Sequence, residues 1–278
     1  MAQRPDEKAA NARQAKIDAA RKASKTGPNR IIVASVVAVV AIIAVVAGVI
    51  INSEASKNAI TQGGKALPAG VSAMGQGWVA NAAVAKPDAP TLSIYEDFRC
   101  PVCQELESAF GSEIEKAAQA GTVKVAYHFK TVIDSHYPTG NSQQAASDAL
   151  CAADAGAFWK YHDALYANQP TEGTDFTAAQ FLSFAEQAGI SGDKLKTFQA
   201  CVKAGKYMNY VKSTEDASFK NGITGTPAVF LNHKAVKWTA FQTSAGDPDP
   251  AAFAAMLTSG TVPAGKVDAD LAKAKDVS

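Results

Sequence analysis

Tyr95-Glu96-Asp97-Phe98-Arg99-Cys100-Pro101-Val102-Cys103 sits where one hydrophobic pattern gives way to another. Residues 91–98 alternate as a strand does. After them Val102, Leu106, Ala109, Phe110, Ile114 and Ala117 recur at steps of three and four, which predicts a helix from Pro101 to about Ala120. Pro101 suits the first helical turn, where its missing N–H costs nothing, and Gly121 suits the stop. Cys100 therefore falls just before a helix and Cys103 one turn inside it. That spacing lets the two sulfurs meet. It also sets Cys100 among N–H groups that lack intrahelical partners, at the positive end of the helix dipole. Both effects favour a thiolate at Cys100, so Cys100 is expected to exchange with thiols and Cys103 to resolve. Two other readings compete. A zinc half-site needs two more ligands, but His128, His136, His162 and His233 are scattered without a second paired cluster. A purely structural disulfide is the other.

The flanking sequence predicts a mixed fold. Residues 78–85 and 91–98 read as strands around the turn Lys86-Pro87-Asp88-Ala89-Pro90, and residues 123–129 as a third. From 141 to about 220 no strand is evident. Periodic segments near 141–154, 156–167, 177–189, 192–204 and 207–220 predict a helical block. Strand character returns at 228–232 and 235–238 around a turn at His233-Lys234, and a last helix is expected over 250–257. The tail from Ser259 has few large apolar residues and is expected as coil against or away from the domain. The class is α/β: one sheet domain over 78–258, with a helical insertion at about 141–220.

Upstream the chain changes character. Residues 31–51 are 21 consecutive Ile, Val and Ala with one Ser and one Gly. At ~1.5 Å per residue such a helix spans ~31 Å, the thickness of a bilayer core. Residues 1–30 carry eight Lys/Arg against three acids, which puts the N-terminus in the cytoplasm and everything after Asn52 outside. The rival, a cleaved secretory signal, has a shorter apolar core behind a shorter basic start; either reading exports the rest. Residues 52–77, rich in Gly, Ala, Ser and Gln, are expected as a spacer. The whole chain has 27 Lys+Arg and 26 Asp+Glu, and the exported part has a small acidic excess, so no nucleic-acid partner is expected. All four cysteines fall in the exported part, where disulfides persist.

The redox stretch, joined to Gly225-Thr226-Pro227-Ala228-Val229-Phe230-Leu231 downstream, resembles the DsbA-like thiol–disulfide oxidoreductases, in particular membrane-anchored actinobacterial members with a thioredoxin-like domain. The resemblance covers roughly residues 75–258. It implies that Pro227 is cis and faces the redox pair, and that the Thr226 backbone binds substrate. It implies further that the protein introduces disulfides into reduced exported proteins, and that a quinone-linked DsbB- or VKOR-like membrane partner reoxidises it. No metal or organic cofactor is implied. The 127 positions from Cys100 to Pro227 exceed a plain crossover and match the family's helical insertion. Two features depart from the family pattern. The central dipeptide is Pro-Val without a histidine, where Arg99 is expected to favour the thiolate and Glu96 and Asp97 to oppose it. The acid often found six residues before the first Cys is replaced by Ile94. Glu96 is left either as a proton carrier for Cys103 or, the preferred reading, as a solvated edge carboxylate.

Cys151 and Cys201 fall on separate expected helices, 50 residues apart. For an exported domain a structural bridge between them is the expectation, against a second redox relay or two free thiols. Phe158, Trp159, Tyr161, Leu165 and Tyr166 are expected in the core, and His128 and His136 at the surface. Two alternative functions remain: a disulfide reductase or isomerase, and a non-catalytic module that grips exported peptides at the sheet edge beside Pro227.

Overall fold

A computed structural model describes residues 65–277; the segments expected at 1–30 and 31–51, and the spacer from 52 to 64, lie outside the described residues. Among the described residues no helix is long and apolar enough to cross a membrane. Strands β1 (Trp78–Val79), β2 (Thr91–Glu96), β3 (Lys124–Phe129), β4 (Ala228–Leu231) and β5 (Lys234–Ala235) form one sheet in the order β1-β3-β2-β4-β5. β2 and β3 are parallel and joined by a helical crossover, as parallel neighbours must be. The other pairings are antiparallel.

The crossover consists of α1 (Pro101–Leu106), a single π turn (Glu107–Gly111) and α2 (Ser112–Gln119). Between β3 and β4 the chain makes α3 (Val132–His136), α4 (Asn141–Asp154), α5 (Phe158–Ala167), α6 (Ala178–Gln187), α7 (Gly192–Lys203) and α8 (Met208–Lys220). Helix α9 (Pro250–Ser259) follows the hairpin and packs on the crossover, with Phe110 stacked on Phe253 at 4.4 Å between ring centres.

Strand alternation decides what each sheet face holds. Leu92 and Ile94 of β2, Val125, Tyr127 and Phe129 of β3, and Val229 and Leu231 of β4 share the main core. Tyr95, Ala228 and Phe230 point the other way, onto a smaller cluster. Glu96 follows Leu92 and Ile94 in this alternation and so is carried inward.

The expected first strand, residues 78–85, ends at Val79. Asn81 is the reason. Its buried amide donates to the carbonyls of Ala118 (2.8 Å) and Val123 (2.7 Å) and accepts from Val125 N–H (3.1 Å), taking over what a longer strand would have paired. The β4–β5 turn lies at Asn232-His233, one residue earlier than expected. Both residues have positive φ (48° and 63°), as a two-residue turn matched to strand twist requires. The expected strand over 235–238 is correspondingly short, and residues 238–240 form a 3₁₀ turn.

Both flanks of the domain pack against it. Tyr210 Oη donates to Gln76 O (2.6 Å) and Gly75 N–H to Ser213 Oγ (2.8 Å), seating the end of the expected spacer on α8. In the tail, Leu271, Ala274 and Val277 cover the Tyr95 cluster, and Asp276 accepts from Tyr95 Oη (2.7 Å) and Ser93 Oγ (2.9 Å).

Candidate functional site

Cys100 is the residue before α1, with extended backbone (φ −79°, ψ 118°) and Pro101 at the first helical position. Cys100 and Cys103 are both free thiols, and both are buried: Cys100 retains 6% exposure and Cys103 none. The Thr226–Pro227 bond is cis, and the Thr226 carbonyl oxygen lies 3.6 Å from Cys100 Sγ. The structure thus brings Cys100, Cys103, Thr226 and Pro227 together across 126 residues of sequence. Val102 is exposed on the rim. Beside the Gly225-Thr226-Pro227 loop opens a cleft of about 330 Å³, whose lining includes Thr131, Val132, Glu215, Phe219 and Thr224.

The two sulfurs are electrostatically unlike. The Cys103 thiol, the Thr226 side chain and the backbone N–H groups of Cys103 and Val102 all favour the Cys100 thiolate. They outweigh its burial and bring its pKa down to about 6. Cys103 has a single contact of that kind, the Asp97 backbone, and it is outweighed. Burial, and then the neighbouring Cys100, push it well above the ordinary thiol value.

The charged residues around the pair are turned elsewhere. Arg99, expected beside the thiolate, is buried and committed to the insertion. It pairs with Asp134 (2.9 Å) and Asp175 (2.9 Å) and donates to Thr174 O (3.1 Å) and Thr139 Oγ1 (3.2 Å). It ties the redox loop to the helical block and is not a counter-ion for sulfur. Asp97 accepts from the N–H groups of Arg99 (2.9 Å) and Ile133 (2.9 Å), and burial pushes its carboxyl up to about 7. Gln169, from the insertion, donates to the carbonyls of Phe98 (2.9 Å) and Cys100 (3.0 Å).

Removing a buried pair's cation leaves its partners uncompensated. Arg99→Met is therefore expected to cost about 3 kcal/mol of stability, the low end of that class. Asp175 is partly exposed, and Asp134 retains the N–H groups of Ser142 and Gln143. Denaturant unfolding measures this loss, and a change under about 0.5 kcal/mol, the range of ordinary surface substitutions, would refute it.

Glu96 is not a solvated edge carboxylate. It has no exposure and pairs with His162 of α5, Oε1 to Nε2 at 3.1 Å. Burial works against charge on His162, but the Glu96 anion outweighs it and holds the imidazole up at about 10. His128 is not at the surface either. It is stacked on Tyr95 (4.1 Å, 13°), and burial brings it down to about 4, so it stays neutral. His136 is exposed at the end of α3. Phe158, Tyr161, Leu165 and Tyr166 are in the core, with Trp159 partly buried against it. Cys151 of α4 and Cys201 of α7 are bonded, with Cα atoms 5.8 Å apart.

Among curated relatives, the Na(+)/H(+) antiporter NhaA 3 of Salinispora tropica is 31% identical over 143 residues, 51% of this chain but only 20% of the antiporter. The chain thus spans about a fifth of that relative. Disulfide bond formation protein D of Bacillus subtilis is 26% identical over 154 residues, 55% of this chain and 68% of that protein. Among solved structures, oxidised DsbA of Mycobacterium tuberculosis superposes with a TM-score of 0.51 at 28% identity, covering 69% of this chain and 94% of that one. Residues 80–245, more than half of the chain and inclusive of Cys100, Cys103 and the cis Thr226–Pro227 loop, match the family described as Thioredoxin, and the chain belongs to that family.

Proposed function

We propose that this chain is an extracytoplasmic, membrane-anchored thiol–disulfide oxidoreductase that introduces disulfides into exported proteins. The observation that carries the reading is the asymmetry of the sulfurs: a thiolate-favouring Cys100 at the helix N-terminus and an enclosed, proton-holding Cys103. The likeness to DsbA and to disulfide bond formation protein D supports it. A substrate thiolate attacks Cys100 Sγ of the Cys100–Cys103 disulfide. That bond breaks, and Cys103 leaves with the electron pair and takes a proton. A second substrate thiolate then attacks the substrate sulfur of the mixed disulfide, and Cys100 leaves as a thiolate. The substrate loses two electrons, the protein gains them, and the second of the two substrate protons goes to solvent. Thr226 and Pro227 receive the extended substrate beside Cys100. A quinone-linked DsbB- or VKOR-like membrane partner takes the electrons back. Anchoring and orientation rest on the apolar run at 31–51 and its basic flank.

The pKa of Cys100 sets the direction. Its folded value is depressed, so the stabilisation of the reduced form is complete above the ordinary thiol value near 9 and is lost as pH falls through about 6. At pH 7 roughly one decade of that stabilisation is present, ~1.4 kcal/mol or ~30 mV for the two-electron couple. Cys103, pushed upward, stays protonated across this window. Iodoacetamide alkylation of the reduced protein is expected to follow one titration near pH 6, assigned to Cys100 by mass spectrometry. A midpoint near 9 would remove the driving force. Equilibration with glutathione tests the function itself. A potential of about −200 mV or higher is expected, and one near thioredoxin's ~−270 mV would make the protein a reductase. Unimpaired refolding of a reduced substrate by Cys100→Ala would favour the peptide-gripping alternative.

A further inference from the structure

Glu96, Glu107 and His162 come from three separate elements: the end of β2, the π turn of the crossover, and α5 of the insertion. One donor atom from each lies within 4.8 Å of the others. Glu96 Oε1 and His162 Nε2 are paired at 3.1 Å, but Glu96 Oε2 and Glu107 Oε1 are buried with no hydrogen-bond partner. His162 answers one of the two carboxylates, and the second, with its buried oxygen unpartnered, is costly unless something positive or proton-donating meets it.

Local structure is built to bring the second carboxylate there. The π turn over Glu107–Gly111 interrupts an otherwise α-helical crossover, and such turns recur at functional sites. The Glu107 carboxylate lies over Gly111, where a Cβ would meet Oε2 at 2.6 Å, so any larger residue there would push the carboxylate out of this position. The imidazole is oriented as well. Nε2 faces Glu96, while Nδ1 faces Asp163 Oδ1 at 3.7 Å. A metal at Nε2 displaces the proton that Glu96 otherwise holds on His162 and releases it to solvent, and the ring, keeping its proton on the Asp163 side, then presents the Nε2 lone pair, which is how metal-binding histidines are held.

We propose that Glu96, Glu107 and His162 bind one divalent first-row metal ion, with zinc as the test ion, pinning α5 of the insertion to the sheet and the redox helix. Two carboxylates and a neutral imidazole balance a dipositive ion. With metal–donor bonds of ~2.0–2.2 Å, tetrahedral donors stand ~3.3–3.6 Å apart, so the widest pair has to close by about 1.5 Å at most, within reach of rotation about the glutamate side chains. The free carboxylate oxygens supply the remaining coordination. The site uses none of the cysteines as ligands.

The test uses the full chain with both cysteine pairs oxidised, so that no thiolate competes. It is refolded with Zn²⁺ or Mn²⁺, because the site is enclosed, then dialysed and analysed for metal. About one ion per chain is expected to remain, and Glu107→Gln, Gly111→Ala and His162→Gln are each expected to weaken retention at least tenfold. Absence of stoichiometric metal from the folded wild type would overturn the proposal, leaving buried waters or protons to satisfy the cluster. Equal retention by the variants would overturn it too. Should the variants fail to fold, anomalous scattering at the zinc edge from wild-type crystals decides: a peak between the three side chains supports the site, and no peak there rejects it.

Discussion

Cys103→Ala is expected to cut oxidation of reduced substrates at least about a thousandfold, the scale on which removing a member of a reacting unit acts, and to leave a trapped adduct on Cys100. The reduced variant keeps the Cys100 sulfur at the helix N-terminus, with the N–H of Val102 and the Thr226 side chain favouring its thiolate. Offered glutathione disulfide, that thiolate attacks one sulfur, forms a mixed disulfide and releases a glutathione thiolate. In the wild type Cys103 then loses its proton, attacks Cys100 and expels the second glutathione. In the variant nothing does, so the adduct survives for hours and intact-mass spectrometry reads it directly. Losing the Cys103 thiol also removes the largest contribution holding the Cys100 pKa down, so the adduct forms more slowly at pH 6 than the wild-type titration alone implies. The mirror variant, Cys100→Ala, is expected to form no adduct. Its remaining thiol has no exposure, and burial pushes its pKa up. An adduct on Cys103 in that variant, at a rate comparable with that on Cys100, would reverse the assigned roles.

The parts of this site that were legible in the sequence are those fixed by local rules. Cys100 and Cys103 flank a proline at a strand-to-helix junction, and that alone specifies a helix N-terminus and a shielded second sulfur. The five long helices of the insertion announce themselves by three-and-four periodicity, and each is found within two residues of expectation. What stayed hidden are the ionic residues that the fold carries inside. Arg99, Lys130, Glu96 and Asp97 have at most 2% exposure. A charged residue in a sequence is placed at the surface by default, because only a partner makes its burial tolerable. Here the partners are remote: Asp134 and Asp175 for Arg99, Glu215 for Lys130, His162 for Glu96. Strand alternation was the one available clue. It puts Glu96 on the same face as Leu92 and Ile94, and taking that parity literally would have placed it in the core. Glu107 offered no clue at all, since its inward turn depends on the π turn, and a helix drawn at 3.6 residues per turn does not contain one. Which of the two expected courses the tail takes, against the domain or away from it, was hidden in the same way. Leu271, Ala274 and Val277 are too sparse to show a period, yet three small apolar side chains suffice to cover Tyr95 and Phe230 once Asp276 is hydrogen-bonded to Tyr95 and Ser93.

Removing the second cysteine pair is expected to produce the largest loss of stability. The Cys151–Cys201 bond closes a loop of 50 residues between α4 and α7, which the chain-entropy account values at ~4 kcal/mol. The two helices depend on it unequally. Nine residues of α4, Cys151 among them, are buried, so it has many other anchors. In α7 only Phe198 and Cys201 are buried, with Leu195 and Val202 partly buried against the core. Beyond the bridge, α7 is anchored by Phe198 against Tyr161 (5.6 Å between ring centres) and by surface contacts such as Lys194 to Ala155 O (3.0 Å). Cys151→Ala/Cys201→Ala is therefore expected to lower the melting temperature by about 10 °C for a domain of this size. Amide exchange should rise first in α7 and least in β2 and β3, whose paired backbones form the sheet centre. The redox pair lies outside the bridged loop and none of the groups that lower the Cys100 pKa belongs to α4 or α7, so the alkylation midpoint near pH 6 should not move. A melting shift under about 2 °C, or a displaced alkylation midpoint, would mean that this pair is not a structural tether but is coupled to the redox centre.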